Sequence, residues 1–358
     1  MTAMMTAAVY YGAHDIRIER VPVPAPAPEE ALLRVRRCGV CGTDASEWSA
    51  GPIIFPVRRT HPVSGHQGPM IPGHEFVGEV VSAPEGSGLT AGDIVVSGAG
   101  VSCGNCARCH EGRTNICDRY FTLGLNVDGA LAEYVACPVG ALARVPASLS
   151  LDAAGLAQPL AVGLHAARRS GVADGDRVVV IGAGAIGTFV LLGLRYLFTD
   201  LDITVIDFAG AKLDRALRLG ATRVVEPRDD LVDAVLGAIG PTGADVVVEG
   251  SGAPDQLSRA IAMTRYGGRV LAVGLPKRPP AVDVHTLVLR EITLDTTMAH
   301  VCGDDLPSAL DLLARSEVAG ELLEDVVALD GLTDVLDRLA AGRLDGKVLI
   351  DPSQGAGR

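Results

Sequence analysis

Aromatic residues are scarce in this chain: one Trp, six Tyr and six Phe make up 4% of 358 residues. The hydrophobic share is nonetheless 48%, so the cores must be built mainly from Ala, Val and Leu, and the length suffices for two domains with well-buried interiors. Positive charge is also in deficit. Lys and Arg number 31 against 43 Asp and Glu, a balance of −12, which excludes the basic surface that nucleic-acid phosphates require. Long apolar runs are missing: no uncharged stretch reaches the ~20 residues that span a bilayer, and residues 1–20 carry charges where a secretory signal needs its apolar segment. A cytoplasmic protein with no membrane partner and no nucleic-acid partner is expected.

What the chain does have is a glycine-rich break in an apolar run, Val179-Val180-Ile181-Gly182-Ala183-Gly184-Ala185-Ile186-Gly187. Gly182 permits a tight turn. Gly184 lets the backbone N–H groups there, with Ala185 and Ile186, approach a pyrophosphate at a helix N-terminus, and Gly187 lets that helix lie close to the strand. The spacing G-x-G-x-x-G alone is weak evidence, because glycine turns are common in loops. Its surroundings strengthen it: residues 177–181 are a β-branched strand candidate, residues 188–197 an apolar helix candidate without Pro, and a second strand at 203–206 ends in Asp207. That acid stands about 20 residues beyond the turn, where the ribose hydroxyls of an adenine dinucleotide are held. Lys212 has the spacing for a second ribose contact, and Phe208 and Ala209 stand where an NADP enzyme needs an Arg, so NAD is expected. Further strands at 246–249, 269–273 and 292–296 alternate with helical stretches, as in a parallel doubly wound sheet. Gly250, Ser251 and Gly274 fall at strand ends, where such a sheet places its ligand, although they are equally ordinary loop residues.

The chain upstream is different. Alternating residues at 9–11, 16–18 and 31–36 read as short strands, with a Pro-rich connector at 22–28. Cys38-Gly39-Val40-Cys41-Gly42-Thr43-Asp44 follows, and on its own this pair of cysteines fits half a zinc site, a redox pair or two small buried residues. Pro72-Gly73-His74-Glu75 supplies the partner: Cys, His and Glu are the donors a catalytic zinc takes while keeping one position open. Four more cysteines cluster at Cys103, Cys106, Cys109 and Cys117. Without a secretory signal, such a cluster points to metal rather than disulfides. Four thiolates complete a tetrahedron, which makes a structural zinc the first reading and an iron–sulfur cluster the second. A strand is expected at 129–135, and a helix starting near Ser150 or Asp152.

Together these motifs resemble the zinc-dependent medium-chain dehydrogenases over the whole length, through to a closing Gly346-Lys347-Val348-Leu349-Ile350. The run from Gly51-Pro52-Ile53 to His61-Pro62-Val63-Ser64-Gly65 before Pro72-Gly73-His74-Glu75 is most similar to the 2,3-butanediol dehydrogenase branch, near the sorbitol and threonine dehydrogenases. The resemblance implies an α/β protein: a GroES-like β-rich catalytic domain at 1–155 and 300–358, with a structural-zinc lobe at 100–120, plus a Rossmann doubly wound parallel sheet at 156–299. It also implies an NAD-dependent alcohol dehydrogenase with two zinc ions per chain, a small-molecule alcohol or ketone substrate, and a homo-oligomer, dimer or tetramer.

By position, Cys41 and His74 match the family's first two catalytic-zinc ligands, and Glu75 the adjacent carboxylate that ligates or exchanges with the third. Thr43 matches the hydroxyl that binds the substrate oxygen and passes its proton outward. Asp44 is expected behind His74, fixing its tautomer. The family's relay histidine is replaced by Ser46, which can pass a proton but cannot store one at neutral pH. A glutamate expected as third ligand is replaced by Gln158, a neutral and weaker donor. With Cys41 and Glu75 both ionised, zinc is expected to remain balanced, and two outcomes stay open: Gln158 or Glu75 completes a looser site, or the catalytic zinc is weakly held. Two other functions share parts of this pattern: a zinc-free reductase of quinones or enones, and a non-catalytic dinucleotide-binding protein.

Overall fold

The computed structural model describes residues 3–354; the outermost residues of the domain expected at 1–155 and 300–358 lie outside that range. Alternation in the first forty residues produces three strands, β1 (Met4–Gly12), β2 (Asp15–Pro22) and β3 (Glu30–Gly39). In β3, Ala31, Leu33 and Val35 point inward at period two and are buried. Next come α1 (Gly42–Ala50), β4 (Glu75–Ser82), β5 (Ile94–Ser97) and β6 (Gly100–Val101). The cysteine lobe contains α2 (Ala107–His110) and is closed by β7 (Phe121–Thr122), which pairs with β6. β8 (Tyr134–Pro138), β9 (Leu142–Arg144) and α3 (Leu151–Ala154) follow. The hydroxyl of Ser150 caps α3 by accepting from Ala153 N at 3.2 Å.

One expected strand is shorter than its sequence pattern. Residues 129–133 are not part of β8, because their N–H groups are committed elsewhere: Gly129, Ala130 and Leu131 donate to Ile71, Gly73 and Pro72 at 2.7, 2.9 and 2.9 Å. The consequence is functional, since these bonds fix the backbone leading into His74.

A long helix, α4 (Ala157–Arg169), leads into the second part of the chain. There β10 (Arg177–Ile181), α5 (Ala185–Leu197), β11 (Asp202–Ile206), α6 (Ala211–Arg218), β12 (Arg223–Val225), α7 (Leu231–Ile239), β13 (Ala244–Glu249), α8 (Gln256–Met263), β14 (Thr264–Ala272), α9 (Val284–Leu289) and β15 (Thr293–Thr296) alternate. The strands form one sheet in the order β12-β11-β10-β13-β14-β15, every pair parallel. β10 explains why its sequence is continuously apolar. Val178 and Val180 pack under Leu191 and Leu194 of α5, while Val179 and Ile181 face Val235 of α7 and Ile261 of α8. Helices on both faces leave no side of the strand for polar residues.

The tail adds α10 (Cys302–Arg315), α11 (Val318–Leu322), β16 (Leu323–Ala328), α12 (Leu332–Ala340) and β17 (Lys347–Asp351). β17 pairs with β3, which joins the tail to the amino-terminal sheet in the order β16-β17-β3-β4-β5-β9, with β8 also on β3. Leu33, Phe76, Leu131, Leu332 and Ile350 share its core. Two compact units result, Met1–Gln158 with Val301–Arg358, and Pro159–His300. The first junction falls inside α4 rather than at the expected 155/156, because the helix continues unbroken through it. Among the described residues no helix is long and apolar enough to cross a membrane.

Candidate functional site

In the first unit, backbone register brings the candidate metal donors together. Gly39 at the end of β3 stands opposite Glu75 at the start of β4. The chain then turns through Val40 into α1, with Cys41 as N-cap, its N–H donating to Asp44 Oδ2 at 2.9 Å. The donor atoms of Cys41, His74 and Glu75 all lie within 4.8 Å of one another. Gly39 is required by this closeness: a Cβ there would sit 2.4 Å from Glu75 Oε2. Thr43 Oγ1 is 3.9 Å from Cys41 Sγ, so its hydroxyl borders the cluster. Gln158 is buried at the second position of α4, in the same unit. Ser46 lies one turn along α1 and donates its hydroxyl to the Gly42 carbonyl at 2.9 Å. Its proton is therefore held by the helix rather than offered to Thr43.

The electrostatics suit a cation. His74 and Glu75 are buried, and burial works against the charged imidazole. Asp44, Cys41 and Glu75 outweigh that penalty and push the ring pKa up to about 9. Burial conversely lifts Asp44 above the usual carboxylate range. His74 Nδ1 and Asp44 Oδ1 are 3.8 Å apart, each buried without a hydrogen bond. Asp44 thus stands behind His74 as expected, but its bonded oxygen serves the Cys41 N–H. An imidazole ringed by acidic donors, with a thiol and a carboxylate facing it, has the composition of a zinc site.

One charge partner was not foreseen. Lys347, the first residue of β17, is buried with its Nζ 2.5 Å from Glu75 Oε2 and donating to Val40 O at 2.9 Å. The contact with Glu75 is ionic, without an aligned hydrogen bond. Burial alone would raise the Glu75 carboxyl; Lys347 and His74 hold it below its ordinary value. Glu75 is thus held in its charged form, as expected, and Lys347 adds a positive charge that the expected balance did not include. Sequence reasoning read Lys347 only as part of a closing strand, and its burial follows from a strand pairing that no local pattern announces.

The four other cysteines also converge, all donor atoms within 4.8 Å. Cys106 Sγ is 3.6 Å from Cys109 Sγ and 3.8 Å from Cys117 Sγ. A tetrahedron with zinc–sulfur bonds of about 2.3 Å has edges of about 3.8 Å, so the thiols stand at metal-ligand spacing and too far apart for disulfides. Backbone N–H groups of Asp118 and Cys109 pull the Cys106 thiol down to about 6, favouring the thiolate a metal takes.

In the second unit the glycine turn has the expected form. Gly182 adopts φ 97°, a conformation for glycine, and a Cβ on Gly187 would lie 1.7 Å from Gly182 O. Gly184 caps α5, which begins with Ala185 and Ile186. Asp207 is half-buried over the turn, accepting from Ala183 N at 2.6 Å and Phe208 N at 2.7 Å. Lys212 follows at the start of α6, partly buried. Gly250 N donates to Ile181 O at 2.9 Å, and Gly274 N to Glu249 O at 2.9 Å, so the turns after β13 and β14 adjoin the glycine turn. The organiser of these turns is Glu249, a residue sequence reading passed over. Its buried Oε1 accepts from Ser251 N at 2.8 Å, Ser251 Oγ at 2.5 Å and Gly252 N at 3.1 Å.

Residues 27–147 match the model of the alcohol dehydrogenase GroES-like domain, and residues 185–315 that of the zinc-binding dehydrogenases. The (R,R)-butanediol dehydrogenase of Bacillus subtilis strain 168 is 31% identical over 356 residues, covering 98% of this chain and 100% of its own. The chain belongs to the zinc-dependent medium-chain dehydrogenase family. Sorbitol dehydrogenase of the same bacterium is 30% identical to this dehydrogenase, over 98% of each chain. The crystal structure of 2R,3R-butanediol dehydrogenase from Bacillus subtilis matches its fold with a TM-score of 0.88 at 30% identity, over 97% of this chain and 99% of that one. The protein is accordingly an alcohol dehydrogenase, built from a GroES-like unit and a Rossmann unit, and its reaction class is the interconversion of a secondary alcohol and its ketone.

Proposed function

We propose that this dehydrogenase oxidises a small secondary alcohol with NAD, holding a catalytic zinc on Cys41, His74, Glu75 and Gln158 and a structural zinc on Cys103, Cys106, Cys109 and Cys117. The observation that carries the reading is the convergence of Cys41, His74 and Glu75 within 4.8 Å, beside the Thr43 hydroxyl. Bound zinc supplies Lewis-acid polarisation of a hydroxyl, and nicotinamide supplies a hydride acceptor. Thr43 accepts a hydrogen bond from the substrate hydroxyl and takes part in carrying its proton away. Because Ser46 is held by Gly42 O, the proton leaves Thr43 for solvent rather than along α1. Backbone N–H groups of the turn from Gly182 to Gly187 cradle the pyrophosphate, and Asp207, assisted by Lys212, accepts the adenosine ribose hydroxyls. Phe208 is 76% exposed and Ala209 follows it, so the two positions next to Asp207 offer a 2′-phosphate no cation, which favours NAD over NADP.

The substrate is a diol, polyol, amino alcohol or cyclitol, with small diols the nearest analogy in view of the butanediol and sorbitol dehydrogenases this chain resembles. A homo-oligomer is supported by the exposed Val284, Val288 and Leu289 of α9 beside the edge strand β15. A reducing compartment such as the cytoplasm suits cysteines none of which is in a disulfide among the described residues.

The test is Cys41→Ser, assayed on a panel of secondary alcohols with NAD and with NADP while bound zinc is counted. Turnover is expected to fall by about 10³ or more, with one zinc lost per chain and the other retained. Unchanged turnover in the variant would instead favour the zinc-free reductase.

A further inference from the structure

We infer that Lys347 competes with the metal for Glu75 and thereby sets how tightly the Cys41, His74 and Glu75 site holds zinc, an inference that rests on the zinc reading above. Three observations carry it. The Lys347 ammonium is in ionic contact with Glu75 Oε2 at 2.5 Å, with both side chains almost fully buried, so solvent does little to screen the pair. Lys347 is also anchored: it donates to Val40 O at 2.9 Å, and β17 is locked in register on β3 with Leu349 opposite Gly39. It cannot swing out to solvent when a metal arrives without giving up that bond and burial. Finally, Gly39 leaves the space in which the Glu75 carboxylate sits, since any Cβ there would overlap Oε2.

A divalent ion and an ammonium drawing on one carboxylate repel each other, and whatever charge Lys347 neutralises is withdrawn from the metal. This matters in a chain whose further donor, Gln158, is neutral. Cys41 then supplies the other negative charge of the set. Lys347 in exchange keeps Glu75 compensated when the metal is away, because a buried carboxylate without a partner is strongly destabilising. The pair makes the site tolerant of metal loss and moderate in metal affinity.

The experiment measures zinc affinity of the full-length protein by competition with a chromophoric chelator, using the four-cysteine site as internal reference. Lys347→Met is compared with Lys347→Gln, which retains an N–H donor for Val40 O, and with the charge-conserving Lys347→Arg. Thermal unfolding is followed with and without zinc. Both neutral variants are expected to hold the weaker zinc about tenfold or more tightly than wild type, equivalent to one pKa unit or about 1.4 kcal/mol. They should also show a larger zinc-dependent rise in Tm, while Lys347→Arg stays near wild type. If Lys347→Met does not fold, Lys347→Gln decides. Equal or weaker zinc binding in the neutral variants overturns the inference, because Lys347 would then only brace Glu75 as a ligand. A single zinc per chain in wild type and every variant overturns the catalytic-zinc reading itself, and this inference with it.

Discussion

Glu249 has no cation to neutralise in its hydrogen-bond set; its carboxylate instead gathers two backbone N–H groups and a hydroxyl at the carboxyl end of β13. Such charge-assisted bonds fix the 250–252 turn against the glycine turn, the proposed seat of the dinucleotide's phosphates. Replacing it by Gln keeps the volume but presents N–H groups toward other N–H groups. Glu249→Gln should weaken NADH binding about tenfold, the scale of one lost charged hydrogen bond, while Tm moves by only a few degrees. Fluorescence titration with NADH checks it, and unaltered affinity would show that the turn is held by backbone contacts alone. The residue is easy to miss in the sequence, where it reads as the last position of an apolar strand. Cys41, His74 and the four lobe cysteines are legible because their chemistry is rare and their spacing local. Lys347 is not, because nothing near it in the chain indicates that Glu75 will be its neighbour.

Between elements, Asp245 binds three adjacent strands of the parallel sheet. From β13 it accepts Arg177 N of β10 at 2.9 Å and Arg265 Nε of β14 at 2.5 Å. Burial alone would raise its pKa, but the Arg177 N–H and the two guanidinium groups more than offset this and hold it below the ordinary carboxylate value. A depressed folded-state pKa means stabilisation that is complete above the unfolded value, about 4, and lost as pH falls through the folded one. Asp245→Asn should therefore cost about 1–3 kcal/mol at pH 7. In denaturant titrations the gap between wild type and variant should stay constant from about pH 5 to 7 and close below about pH 4. A gap that widens on acidification would contradict this. Most elements were readable from periodicity, β10 and α5 above all. The strand expected over 129–135 was readable only at its end, 134–135, because hydrogen bonds from Gly129, Ala130 and Leu131 to the 71–73 backbone compete with the sheet for the same N–H groups. Alternation in sequence carries no information about which partner wins.

At the scale of the whole molecule, the exposed apolar side chains of α9 beside the edge strand β15 bear on assembly. A charge placed there should be tolerated by the fold and not by an interface. Val288, 69% exposed, is the position to change: Val288→Glu is expected to convert the proposed homo-oligomer to monomer by light scattering with little change in Tm. A wild-type monomer, or a variant that assembles normally, would remove this surface from consideration.

The sequence by itself determined the two-part architecture, the glycine turn with Asp207, the four-cysteine lobe and the donor types Cys41, His74 and Glu75. These follow from short-range periodicity and from side chains whose chemistry restricts their use. Tertiary structure alone decided that Glu75 is already paired with Lys347 and that Asp245 ties three strands of the parallel sheet together. Each depends on which atoms become neighbours after distant strands find their register, as β17 does on β3, and on the exclusion of water that lets a single buried charge govern its surroundings.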